Sequence, residues 1–159
     1  QIPELANRIR AARREAPFAG AALPNFFRKL YGAGWVLVGD AGYLKDPVTA
    51  QGITDAFLDA ERCAAALDEI FRGASSFDEA MNALQRTRDE HALPMYEFTC
   101  QLAALEPPDD GMQQLLAAIQ GNQQLMDAFA QTYAGTISPA EFFAPENMNA
   151  IIAASKGVR

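Results

Sequence analysis

The spacing of apolar residues predicts a mainly helical chain, because they recur every three or four positions through most of its 159 residues. The longest such stretch begins near Ala50 and ends at Gly73, a residue type that commonly follows a helix C-terminus. Asp55 and Asp59 lie four positions apart in this stretch, on one side of the helix. We interpret them as part of a solvated face, which is favoured over a functional pair of carboxylates. The apolar positions at helical spacing are Ile53, Ala56, Phe57, Ala60, Ala64, Leu67 and Phe71.

Capping and breaking residues divide the rest of the chain into further helices. A first helix is predicted over residues 3–15, and Ser76 with Glu79 forms a capping box that starts another. Pro94 is expected to kink or break that helix, because proline removes a donor and clashes with the preceding turn. The remaining predictions are helices over residues 110–120, 122–133 and 146–155, with a second capping box over residues 138–141.

A short β region precedes the long helix. Residues 17–31 are interrupted by Gly20 and Pro24, and they predict one short strand with a loop. Residues 34–40 form an apolar run between glycines, which predicts a buried strand. Two strands alone are marginal in water, so we expect other residues to complete this sheet. The predicted fold class is therefore mainly α, a helical fragment with a small N-terminal β remnant.

The run Pro107-Pro108-Asp109-Asp110 marks the clearest boundary in the chain. It predicts one unit over residues 1–106 and a C-terminal helical appendage over residues 107–159. The first residue is Gln1 rather than Met, so we expect the chain to begin inside a longer protein.

Charge and composition exclude several classes of partner. The net charge of −7 repels phosphates, so nucleic acid and anionic membrane surfaces are not expected to bind. No apolar run reaches the roughly 20 residues that span a bilayer. Cys63 and Cys100 are interpreted as reduced thiols, which favours a cytoplasmic protein. His91 is the only histidine, so no metal site is predicted.

Residues 34–60 hold the pattern that points to chemistry. A strand delivers Gly39-Asp40 to a loop, and a helix begins just beyond that loop. Ligands of α/β proteins bind where a strand end feeds a helix N-terminus, whose unpaired N–H groups favour negative charge. Gly52 allows a ligand to approach the backbone closely, and Asp40 offers a carboxylate to hydroxyl groups. The expected ligand therefore has many hydroxyls and a delocalised negative charge elsewhere.

This segment resembles the second FAD-binding motif of the aromatic-hydroxylase (p-hydroxybenzoate hydroxylase-like) flavoprotein superfamily, which includes geranylgeranyl-reductase-like and halogenase-like members. That motif has a strand, then Gly-Asp-Ala, a proline, Gln-Gly and a helix with Asp-Ala. The matching residues are Gly39, Asp40, Ala41, Pro47, Gln51, Gly52, Asp59 and Ala60.

The resemblance implies a role for each part of the motif. Asp40 would bind the ribityl chain of FAD, and the Pro47 loop would lie beside the isoalloxazine ring. The N–H groups around Gln51 and Gly52 would face the edge of that ring that carries negative charge after reduction. Ala50 stands where the commoner pattern has glycine, which puts close backbone approach in doubt. Tyr43 either packs or shapes a substrate pocket, and packing is favoured.

The superfamily's first motif, G-x-G-x-x-G, is absent from the 159 residues. The resemblance therefore implies part of an FAD-dependent monooxygenase that uses NAD(P)H on a small organic substrate and lacks its Rossmann half. Halogenase-like and reductase-like flavoenzymes remain alternatives, as does a non-enzymatic helical interaction module. We expect the isolated chain to be inactive, to bind FAD weakly and to associate with itself through uncovered apolar surface.

Overall fold

A computed structural model describes residues 2–13, 15–17, 20 and 24–156. Within these residues the chain is mainly helical with short antiparallel strands near its N-terminus, which confirms the predicted fold class. The helices are α1 Pro3–Ala11, α2 Gly52–Phe71, α3 Phe77–Ala103, α4 Asp110–Ile119, α5 Gln123–Tyr133, α6 Pro139–Phe142 and α7 Pro145–Lys156. The strands are β1 Phe26–Phe27, β2 Tyr31–Gly32, β3 Trp35–Val36 and β4 Tyr43–Leu44.

The strands pair with one another in two antiparallel pairs, β1 with β4 and β2 with β3. The single buried strand predicted over residues 34–40 is therefore wrong in extent, since only Trp35 and Val36 belong to β3. Trp35 is about half exposed, at 48%, because its ring packs over Gly32 across the hairpin instead of entering a core. The backbone continues extended through Val38 and then enters a 3-10 turn at Gly39–Ala41.

Two hydrophobic cores organise the helices. The first joins Leu30 and Tyr31 to Cys63 of α2 and to Met81 and Leu84 of α3. The second lies in the C-terminal part and is formed by Leu115, Ile119, Phe142 and Ile151. Helix α3 reaches both cores, because Met81 and Leu84 belong to the first and the Phe98 ring lies 5.0 Å from that of Phe143, which packs against the second.

Helix α2 is rotated relative to the sequence expectation, although Leu67 of the predicted apolar positions does pack against the first core. Asp55 and Asp59 are buried, with 8% and 6% of their surface exposed, so the predicted solvated face for these carboxylates is wrong. Ile53, Phe57 and Phe71 are instead 76%, 73% and 82% exposed. Polar partners from the preceding loop account for the buried carboxylates, as the site geometry shows.

Pro94 does not end its helix, since α3 runs without a break from Phe77 to Ala103. A proline removes one backbone donor, and here the packing around it outweighs that loss. Ala92 and Met95 are buried on either side of Pro94, which holds both halves of α3 against neighbouring helices. Pro94 therefore does not break the helix, and the kink expected as the alternative stays a prediction.

Side chains cap the N-termini of helices α3, α4 and α5. The predicted capping box of α3 is present, with Ser76 Oγ accepting the Glu79 N–H and Glu79 accepting the Ser76 N–H. Asp109 and Asn122 cap α4 and α5 in the same way. The second predicted box is wrong, because the Ser138 side chain makes no capping hydrogen bond among the described residues.

We predict that Ser76→Ala lowers the free energy of unfolding by about 1 kcal/mol, since it removes an N-cap acceptor. Ser138→Ala is the matched control, because that serine precedes α6 without a capping bond. Urea denaturation of both variants measures the difference. Equal losses for the two substitutions would contradict the role assigned to Ser76.

Candidate functional site

A left-handed glycine turns the chain between β3 and α2. Gly39 has a φ of 57°, which a residue with a side chain rarely adopts. A β-carbon on Gly39 would also lie 3.0 Å from the Ala56 β-carbon, so the turn packs directly on α2. The Gly39 N–H donates to the buried Asp59 carboxylate at 3.1 Å. This bond fixes the Gly-Asp-Ala turn to the helix that follows it.

Arg28 holds the other side of this turn. Its backbone N–H donates to the Gly42 carbonyl at 2.9 Å, and its guanidinium donates to the Ala41 carbonyl at 3.4 Å. The same guanidinium lies 4.0 Å from the centre of the Phe26 ring. The turn is therefore held from two directions, and its Gly39 and Ala41 carbonyls already have partners.

Asp40 is exposed beside the N-terminus of α2. Its Oδ1 lies 3.8 Å from the position that a β-carbon on Gly52 would occupy. Unlike α3, α4 and α5, helix α2 has no capping side chain among the described residues. The first N–H groups of a helix lack backbone partners, and the helix dipole favours negative charge there. Asp40 and these N–H groups therefore lie side by side at an exposed surface.

The segment between β4 and α2, residues 45–51, is called the entry loop below. Within it, residues 47–49 form a 3-10 turn with Pro47 at the first position. Asp46 caps this turn by accepting the Val48 N–H at 3.0 Å. The buried Thr49 hydroxyl lies 2.8 Å from that of Thr99 in α3. Since Thr99 donates its one hydroxyl hydrogen to the Met95 carbonyl, Thr49 is the donor in this pair. The entry loop is thus anchored to α3.

Ala50 ends the 3-10 turn in a left-handed conformation, with φ 55° and ψ 29°. An L-residue in this conformation carries a steric cost of roughly 1–2 kcal/mol that glycine avoids. Ala50 carries that cost.

Gln51 connects the entry loop to the C-terminal appendage. Its Nε2 donates to the Tyr133 carbonyl at the end of α5, at 2.6 Å. Its Oε1 lies 3.4 Å from the position of a β-carbon on Gly135, a residue that also has a positive φ. Because this amide side chain is committed to α5, only the backbone around Gln51 remains free to face a ligand.

Buried charges join the entry loop to the helix that follows it. Lys45 forms an ion pair with Asp55, and both residues are at least nine-tenths buried. Burial raises the pKa of the Asp59 carboxyl, and the Gly39 hydrogen bond and the Arg88 charge offset this only in part. These partners account for the burial of Asp55 and Asp59, since buried carboxylates need compensating donors and charges.

Arg88 and Tyr43 fill the space behind the Gly-Asp-Ala turn. Arg88 is 1% exposed and bonds the Asp89 carboxylate and the Arg28 carbonyl, at 2.5 and 2.8 Å. Its guanidinium stacks 4.3 Å from the Phe27 ring centre, and Tyr43 contacts the same ring at 5.1 Å. Tyr43 is 3% exposed, and burial is the largest of the effects that raise its pKa. Tyr43 therefore packs here, and its role in a substrate pocket stays a prediction.

A cavity of about 290 Å³ opens on the other side of the entry loop. It lies between the start of α2, the middle of α3 and the connection from α5 to α6. Its walls include Gln51, Thr54, Asp55, His91 and Ser138. Tyr43 lies outside this lining.

The structure brings the predicted motif residues to one connection, with Asp40, Ala50 and Gly52 exposed and Gly39 buried. Sequence reasoning missed Lys45, Thr49 and Arg88, which hold the connection from below. Each interacts with residues 10 to 60 positions away in sequence, so no local pattern identified them. Among the described residues, no group of three or more potential metal ligands is found, and none of the helices is both long and apolar enough to cross a bilayer.

Comparisons with family models, curated proteins and solved structures found no match to this chain.

We predict that Ala50→Gly raises the free energy of unfolding by about 1 kcal/mol, because glycine removes the steric cost of the left-handed conformation. Ala65→Gly, at an exposed position within α2, is the control and should lower it by about 0.5–1 kcal/mol. Thermal or urea unfolding distinguishes the signs. A loss of stability in both variants would mean that Ala50 is not strained.

Asp59→Asn should change how stability depends on pH. Because burial raises the pKa of Asp59 in the folded chain, folding penalises the charged carboxylate and not the protonated one. The penalty is absent below the unfolded pKa of about 3.9 and complete above the higher folded pKa. Asparagine keeps an oxygen for the Gly39 N–H but carries no charge, so the variant should gain stability relative to wild type as pH rises.

Urea unfolding of wild type and Asp59→Asn between pH 4 and pH 7 measures this difference. Asp127→Asn, at an exposed position of α5, is the control and should leave the wild-type profile unchanged. A difference between wild type and Asp59→Asn that stays constant or shrinks as pH rises would contradict the penalty assigned to the buried carboxylate.

Proposed function

We propose that this chain carries the second FAD-binding motif and the C-terminal region of an FAD-dependent oxidoreductase, a cytoplasmic NAD(P)H-dependent monooxygenase of a small organic substrate. The observation that supports the proposal is the exposed Asp40 carboxylate beside the N-terminus of α2, which no described side chain caps. A carboxylate for hydroxyls and helix N–H groups for a negatively charged ring edge are the two contacts that such a ligand needs.

The residues of the connection fit a flavin in type and in conformation. Asp40 would take the ribityl hydroxyls, and the backbone from Ala50 to Gly52 would face the ring. The left-handed Ala50 supports this assignment, because the flavoprotein motif commonly has glycine at the same position. A bound flavin would supply the redox chemistry between NAD(P)H and the substrate.

The protein's own contribution under this proposal is a rigid support for the cofactor. Gly39 and Asp59 fix the turn that carries Asp40, while Thr49 and Gln51 fix the entry loop to α3 and α5. Preorganised dipoles are effective because they need no rearrangement when charge develops. The cavity beside Gln51 adjoins this support and offers a place for part of a small substrate.

Halogenase-like and geranylgeranyl-reductase-like flavoenzymes share the cofactor motif and differ in the chemistry done on the substrate. A non-enzymatic helical interaction module is the second candidate. One observation favours it, the large exposed apolar side chains Ile53, Phe57 and Phe71 on α2. The two candidates differ in whether the connection around Asp40 binds flavin.

We predict weak, localised flavin binding by the chain itself. The ADP part of FAD needs a G-x-G-x-x-G unit that these 159 residues lack, so affinity should be far weaker than micromolar. In a ¹⁵N-edited NMR titration, FAD and riboflavin should both shift the amides around Asp40 and of residues 50–53. ADP should leave those amides unchanged, since no site for it is proposed here.

Asp40→Ala should abolish the riboflavin shifts, because it removes the carboxylate that takes the ribityl hydroxyls. Asp78→Ala, at an exposed position in the first turn of α3, is the control and should preserve them. Shifts that spread over other surfaces, or none at all at millimolar riboflavin, would sink the flavin assignment. Sub-micromolar FAD binding would show that no separate nucleotide-binding half is needed.

A further inference from the structure

We infer that the cavity beside the entry loop binds a small organic amine, a ligand with a protonated nitrogen and an apolar body. We call it the entry-loop cavity. Its volume is about 290 Å³, near the lower end of the roughly 300–1,000 Å³ of small-molecule sites. Three separate parts of the chain form it, the start of α2, the middle of α3 and the connection from α5 to α6.

Most of the wall of the entry-loop cavity is apolar. The apolar side chains that line it are Leu58, Ala92, Pro94, Met95, Ile137 and Pro139. Three of them, Ala92, Met95 and Pro139, are buried, and the others are half-buried. A hydrocarbon group gains free energy by leaving water for such a wall, whereas a fully polar ligand does not. The wall therefore favours a ligand with an apolar body.

The charges of the lining select against anions. Its carboxylates are Asp55 and Glu90, and no lysine or arginine of the described residues lines it. Lys45 compensates the charge of Asp55 in their buried ion pair. Glu90 forms no ion pair with any described residue, so its charge is left for a ligand. A carboxylate or phosphate would meet negative charge here without a cationic partner, whereas an ammonium group would gain one.

Polar groups at the open side of the cavity suit the nitrogen of an amine. An ammonium group has three donors, and carboxylate and hydroxyl oxygens accept from them. Glu90 offers a carboxylate, and Thr54 and Ser138 offer hydroxyl groups. The Ser138 hydroxyl is not used as a helix cap, and Glu90 and Thr54 are exposed. The nitrogen is therefore assigned to the opening and the apolar body to the interior.

The position of the cavity relates it to the proposed function. Gln51 lines the cavity, and the backbone from Ala50 to Gly52 is the segment proposed to face the flavin ring. A small organic amine is therefore the class of substrate that we assign to the proposed monooxygenase. Its role as substrate rests on the proposed function, whereas the binding site itself does not.

A ¹⁵N-edited NMR titration of the chain with three small probes tests the site. The amine 2-phenylethylamine should shift the amides of Met95, Gly135 and Ile137. A dissociation constant in the millimolar range is expected for a ligand of about nine heavy atoms. The neutral 2-phenylethanol should bind more weakly, and the anionic phenylacetate should cause no shifts there. Equal shifts from the amine and phenylacetate, or none from the amine at tens of millimolar, would overturn the inference.

Two substitutions separate the charge of the site from its shape. Glu90→Gln should weaken amine binding about threefold, since an exposed ion pair contributes little, and Glu69→Gln on α2 is the exposed control outside the cavity. Ala134→Phe should abolish binding, because its ring would fill the cavity. Ala134 is exposed, so circular dichroism should show an unchanged fold. Amine binding that survives either Glu90→Gln or Ala134→Phe at full affinity would contradict the assigned site.

Comparing the amine and riboflavin titrations distinguishes this inference from the proposed function. Amine shifts at Met95 and Ile137 without riboflavin shifts around Asp40 would support the amine site and remove the flavin assignment. Riboflavin shifts around Asp40 without amine shifts at the cavity would leave the proposed function in place and overturn the amine site.

Discussion

The hydrogen bond from the Gly39 N–H to the buried Asp59 carboxylate is the interaction on which the arrangement of this chain depends. It joins the turn after β3 to the helix that follows, across 20 positions of sequence. Burying the carboxylate costs stability unless it has donors, so the turn and the helix must form together. That requirement directs Asp55 and Asp59 inward and leaves Ile53, Phe57 and Phe71 exposed, while Leu67 and Ile70 still pack against the first core.

Most helices could be predicted from the sequence, because periodicity and capping residues are local signals. Ser76 and Glu79 lie three positions apart, and their box forms as the pattern indicates. The orientation of α2 could not be predicted, because Asp55 and Asp59 are buried by Lys45 and Gly39, which precede the helix. Periodicity predicts that the helix has an apolar and a polar face. Which residues are buried depends also on the donors that the preceding loop offers to Asp55 and Asp59.

The candidate site shows the same division between local and distant causes. Residues around Asp40 and Gly52 carry a recognisable pattern because the chain itself brings them together within a short loop. Gln51 belongs to that pattern and Thr49 lies in the same loop, yet their side chains bind the Tyr133 carbonyl and Thr99. These contacts join residues 50 and 82 positions apart in sequence. They depend on how the helices pack, so the sequence of the loop alone does not predict them.

The acceptor that Gln51 uses decides how substitutions of Gln51 and of Tyr133 affect the hydrogen bond between them. The bond ends on the main-chain carbonyl of residue 133, an oxygen that every amino acid possesses. Replacing the tyrosine therefore removes an aromatic ring but leaves the acceptor atom itself. Replacing the glutamine removes the donor outright. The hydrogen bond itself therefore survives substitution of Tyr133, whose ring separately packs against Phe98 and Phe129, and it is lost on substitution of Gln51.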